Sequence, residues 1–135
     1  MFQIQLSLIE YFESMLNNLH CLPETKAYLI NIFSNYRLSE NLSDKSITIE
    51  FAKAREQRNF IIYQNLGDFI FYSQTLFPSY LNNASKDYYN TIARLSYYSC
   101  YKIVNGQMKI YEELADNFIY LENQVKKNLK DIIIK

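Results

Sequence analysis

Phe60-Ile61-Ile62-Tyr63-Gln64-Asn65-Leu66-Gly67-Asp68-Phe69-Ile70-Phe71-Tyr72-Ser73-Gln74-Thr75-Leu76-Phe77 is the stretch that decides the fold. At helical spacing, Ile62, Leu66, Phe69, Ile70 and Phe77 share one face, while Phe60, Ile61, Phe71 and Tyr72 cover much of the remainder. A helix that is apolar nearly all round is buried on several sides. Pro78 ends it, because the residue before a proline disfavours helical geometry. Extended back to Arg55, this segment is expected to be the hub of an all-α fold. The chain then reads as a single compact bundle of roughly five to six helices around a central buried helix at about residues 55–77, with 1–135 as one domain.

The bulk numbers agree with helices. Only 2 Gly and 2 Pro occur in 135 residues, too few for the turn punctuation of an all-β chain. A chain this long buries roughly two-thirds of its unfolded surface and needs no disulfide or metal. The 14 basic and 14 acidic residues cancel, which argues against nucleic acid as a partner and leaves self-association unopposed by charge repulsion. No membrane-spanning run and no signal peptide is read, and Cys21 and Cys100 have no ligand spacing, so two buried thiols in the cytoplasm are expected.

Around the hub, Leu6, Ile9, Phe12, Leu16 and Leu19 mark an amphipathic helix over 4–19, widened by Leu8 and Met15. Pro23 and Glu24 open a second, striped by Leu29, Ile32, Phe33 and Tyr36. Ile47-Thr48-Ile49-Glu50-Phe51 alternates like a strand, but a lone strand has no partner, so it is read as the start of a helix. Ser85 caps a helix that carries Tyr89, Ile92, Ala93, Ser96, Cys100 and Ile103 and stops at Asn105-Gly106. One last helix is expected through Tyr111, Leu114, Phe118, Leu121, Val125 and Leu129, with Lys126, Lys127 and Lys130 at its negative end.

A glycine within a helix costs about 1 kcal/mol relative to alanine, so Gly67 asks for a close neighbour. Ala93, Ser96 and Cys100 offer a small-residue edge, and the two helices are expected to cross near Gly67. Asp68 lies among aromatic residues and needs partners if buried. Gln64 and Tyr72 one turn away, and Arg94 across the helix pair, are the candidates, giving either a polar site that pins helix register or the anchor of a small-molecule pocket. The chain has 13 Tyr, and consecutive helical residues diverge by about 100°. Of Tyr88-Tyr89 and Tyr97-Tyr98 at most one each can be fully inside, which makes Tyr88, Tyr97 and Tyr98 candidate interface residues. His20 reads as a turn residue, and Cys100 as a small buried hydrophobe.

Leu22-Pro23-Glu24-Thr25-Lys26-Ala27-Tyr28-Leu29, Leu66-Gly67-Asp68 with Leu76-Phe77-Pro78, Tyr88-Tyr89 with Tyr97, and Tyr111-Glu112-Glu113-Leu114-Ala115-Asp116-Asn117-Phe118 occur in an order that resembles a family of uncharacterised bacterial proteins. Ala93 departs from it, where the family tends to have glycine. The resemblance implies a bacterial cytosolic helical domain and carries over no catalytic residue. No nucleophile–base pair, metal cluster or phosphate loop is legible, so no cofactor or metal is implied. A non-catalytic interaction or regulatory module is expected, with a protein partner or a second copy as its target. A small-molecule sensor with an aromatic pocket near Asp68 is the alternative, and an enzyme the least supported class.

Overall fold

In the computed structural model, which describes residues 10–35 and 42–134 (without the side chains of 35 and 130–134), every regular element is helical. In order these are α1 (10–15), α2 (Pro23–Asn35), α3 (Ile47–Gln57), α4 (Phe60–Leu76), α5 (Lys86–Ile103), α6 (Lys109–Asp116) and α7 (Phe118–Ile134). Short 3-10 turns at Asp44–Ser46 and Pro78–Tyr80 lead into α3 and out of α4. Leu6, Leu8, Ile9 and Tyr36 lie outside the described residues, as does the side chain of Lys130.

The hub is α4, which packs against α2, α3, α5 and α7 and buries Leu66, Phe69, Ile70 and Phe71 completely. It starts later than the sequence suggests. Arg58 takes a left-handed conformation, φ 48°, and its N–H turns back to the carbonyls of Ala54 and Arg55, which closes α3. Asn59 then caps α4 by accepting from the Ile62 N–H at 3.1 Å. The expected segment 55–77 is therefore two helices, and Arg55 belongs to the first of them.

The buried surface of α4 also differs from the expected face. Ile61 is 58% exposed and Phe77 48% exposed, whereas Tyr63, Ser73, Gln74 and Thr75 are buried. Phe77 has left helical geometry at the C-cap (φ −136°, ψ 66°) and lays its ring against Tyr72 instead of the core.

Residues 47–51 are helix. The Ser46 hydroxyl accepts from the Ser43 N–H at 2.8 Å and organises the turn that leads into α3. Ile47 is then fully buried while Ile49 is 69% exposed, a split that a strand, with both on one face, would not give.

The closing segment is likewise divided. Asn117 leaves helical geometry (φ −109°, ψ 20°) as its N–H bonds the Glu113 carbonyl at 2.8 Å, separating α6 from α7. The apolar stripe passes through the break intact, with Tyr111, Leu114, Phe118, Leu121 and Val125 all buried. Because α7 runs to Ile134, Lys126 and Lys127 sit well before its last turn, not at its negative end. α5 follows its local signals: the Ser85 hydroxyl accepts from the Tyr88 N–H at 3.1 Å, and Asn105 and Gly106 both turn to positive φ. Cys21 is only half-buried, and both thiols are free.

Arg58 pays a steric cost for its left-handed backbone that glycine would not. Arg58→Gly is expected to raise unfolding free energy by up to about 1 kcal/mol, the relief being partly offset by chain entropy. Denaturant titration checks this, and a destabilised variant would contradict the strain.

Candidate functional site

Gly67 and Asp68, at the middle of α4, meet one aromatic ring. A methyl group built at Gly67 would lie 2.6–2.9 Å from three atoms of the Tyr97 ring. The neighbour that needs Gly67 is thus a tyrosine ring on α5, not the small-residue edge. Tyr97 is fully buried, which removes it from the candidate interface residues. Its ring is backed by Tyr111 and Phe118, each with centroids 6.3 Å away, so it cannot easily move aside. Ala93, Ser96 and Cys100 are fully buried on the same helix. The Cys100 thiol contacts the Phe60 carbonyl at 3.7 Å, and the Ser96 hydroxyl has no hydrogen-bond partner among the described residues.

The Tyr97 hydroxyl donates to Asp68 Oδ1 at 2.8 Å, and the Tyr28 hydroxyl of α2 donates to the same oxygen at 2.7 Å. One carboxylate oxygen therefore ties α2, α4 and α5 together. The partners expected for it are engaged elsewhere. Gln64 Nε2 donates to the Tyr111 hydroxyl at 2.8 Å, linking α4 to α6. Arg94 Nε donates to the Ala115 carbonyl at 2.9 Å, near the end of α6. Tyr72 packs its ring near Phe33 and Phe77. Of the four residues read as one polar site, the structure brings none of the other three into a hydrogen bond with Asp68.

Burial pushes the Asp68 carboxyl up to about 6, against the opposing pull of the two tyrosine hydrogen bonds. Burial, with the Asp68 charge beside them, raises both Tyr28 and Tyr97. Burial and then the same charge push the Cys100 thiol up to about 12, so it stays protonated and is a poor nucleophile. This arrangement can hold helices in register.

A second polar cluster carries no signal in the periodicity as read. Glu122 of α7 is fully buried, and Gln74 of α4 donates to its Oε2 at 2.5 Å. Gln74 also donates to Asn90 Oδ1 of α5 at 2.9 Å. The Glu122 Oε1 pairs with Lys86 at 3.0 Å and Lys126 at 3.4 Å, so Lys126 is an ion-pair partner and not a solvated helix end. The available signal was an acid on the apolar stripe, four residues after Phe118 and three before Val125.

Of the remaining candidates, Tyr88 is half-buried and its hydroxyl bonds Thr48, while Tyr98 is exposed. His20 is exposed. Among the described residues no group of three or more His, Cys, Asp or Glu side chains is placed to hold a metal, and no helix is long and apolar enough to cross a membrane. Among the described residues, four clefts lie between α5 and α6, between α4 and α7, beside Met108, and between Lys86 and Lys126, and Asp68 lines none of these four. Comparison with known protein families, curated proteins and solved structures gives no match.

Gly67→Ala would gain about 1 kcal/mol of helix propensity but overpack the Tyr97 ring at about 1–3 kcal/mol, and a displaced ring would also give up its Asp68 hydrogen bond. Net destabilisation of roughly 1–3 kcal/mol is expected by chemical denaturation; an unchanged or more stable variant would contradict the contact.

Asp68 binds its proton more tightly folded than unfolded, so between about pH 4 and pH 6 its contribution to stability falls as pH rises. Asp68→Asn keeps an acceptor for both tyrosines and loses the charge. It should unfold at higher denaturant than the parent at pH 7, with the gap closing by about pH 4. A gap that does not change with pH would show that the carboxyl titrates normally.

Proposed function

We propose that the protein is a non-catalytic interaction or regulatory module of the cytoplasm that works as a homodimer. The observation that carries this reading is a groove of about 240 Å³ between α5 and α6, lined by Thr91, Arg94, Leu95, Tyr98, Ala115 and Asp116. Leu95 is 46% exposed and Tyr98 45% exposed, an apolar pair that costs free energy in water. Ile119, four residues beyond Ala115, is exposed as well.

A second copy is the occupant that fits the charges. In a two-fold contact the same patch meets itself. Arg94 of one copy then lies beside Asp116 of the other, and the reverse, around a centre of Leu95 and Tyr98. Zero net charge leaves no long-range repulsion between copies. Two free cysteines support a reducing compartment.

Sedimentation velocity across micromolar to millimolar concentrations is the test. The parent should shift from monomer to dimer, and Leu95→Glu combined with Tyr98→Glu should stay monomeric with unchanged helicity. A parent that remains monomeric throughout, or a dimer indifferent to both substitutions, would refute the homodimer.

A further inference from the structure

The cluster around Glu122 holds more positive charge than it needs. Both Glu122 oxygens are occupied, Oε2 by Gln74 and Oε1 by the two lysines. One buried carboxylate thus answers two ammonium groups. Each ammonium has three donors and directs one at Glu122, and the two nitrogens also face each other, which still leaves donors for another acceptor. Gln74, Lys86 and Lys126 line a cleft of about 110 Å³. The nearby acid Asp44, which accepts from the Tyr89 hydroxyl on the cleft wall, is otherwise taken up by the backbone N–H groups of Asn82 and Asn83 at 2.8 and 2.7 Å. It makes no ion pair with either lysine among the described residues. Burial and the neighbouring Lys86 lower the Lys126 ammonium, while its contacts with Lys126 and Glu122 raise that of the more exposed Lys86.

Lys126 and Pro78 also line the next depression, a groove of about 610 Å³ between α4 and α7. Its walls include Leu76 and Leu129, and its size is in the range that holds a drug-sized molecule. The charged cleft and the apolar groove therefore meet at Lys126. The geometry points to a binding site for a medium-chain monocarboxylate, its head between Lys86 and Lys126 above Glu122 and its tail along Leu76, Pro78 and Leu129. This site is on a different face from the α5–α6 groove and does not depend on the homodimer. The occupant is an anion because two ammonium groups face a single buried carboxylate, with Lys127 further along the groove, and it is amphiphilic because Leu76, Pro78 and Leu129 line the same groove.

Octanoate, octanol and acetate, titrated into the full chain at constant ionic strength and followed by amide chemical shifts, test the site. Octanoate should bind saturably and move the amides of Lys86, Lys126 and Leu129. Octanol and acetate, each lacking one half of the match, should bind roughly tenfold or more weakly. Lys126→Gln should weaken octanoate by a similar factor; if that variant fails to fold, the shift map on the parent decides instead. Octanol or acetate binding as tightly as octanoate, shifts that map to another face, or no saturable octanoate binding at millimolar concentration would each overturn the assignment.

Discussion

The ring of Tyr97 lying flat on Gly67, with its hydroxyl on Asp68, is the contact around which the bundle is arranged. Each part requires the others. A side chain at position 67 would lift the ring, and a lifted ring would leave a part-buried carboxyl short of one donor. Tyr28 approaches the same oxygen from α2, so the position of a third helix depends on the same atom. Tyr111 and Phe118 close the far side of the ring, so α6 and α7 also pack on it.

Polar side chains of α4 repeat this pattern along its length. Gln64 reaches α6 through Tyr111, Asp68 reaches α2 and α5, and Gln74 reaches α5 and α7 through Asn90 and Glu122. The Gly67–Tyr97 and Gln74–Asn90 contacts are two turns apart on each helix and run in opposite directions, which sets α4 and α5 antiparallel in one register. Hydrophobic burial alone would tolerate sliding of such smooth apolar rods. Polar pairs between helices do not, because a slip leaves donors and acceptors unmatched, at roughly 1–3 kcal/mol for each fully buried group such as those around Gln74 and less for the part-buried ones. The hub is thus apolar for stability and polar at intervals for specificity.

What could be read from the chain alone follows from how local each cause is. The all-α bundle and its buried centre are carried by periodicity, and the ends of α5 by Ser85 and Asn105-Gly106. The break at Arg58-Asn59 has no glycine or proline to announce it, and the left-handed turn falls on an arginine. The break at Asn117 is hidden because the apolar stripe continues in phase on both sides. Gly67 announces a close neighbour without saying whether it is a backbone or a ring. Asp68 announces a need for donors, but Tyr28 and Tyr97 lie 40 and 29 residues away. Glu122 needs Gln74, 48 residues distant, before its place on an apolar stripe makes sense. These are tertiary pairings, and the i±4 spacing used for Gln64 and Tyr72 cannot reach them.

If α4 and its Tyr97 contact organise the rest, the centre of α4 should be the last part of the molecule to open. Native-state hydrogen exchange measures this residue by residue. The amides of Leu66 through Phe71 should exchange only through global unfolding, with the denaturant dependence of the whole protein, while α7 opens at lower free energy. Exchange of Leu66–Phe71 through local opening, while α6 and α7 remain protected, would contradict the account.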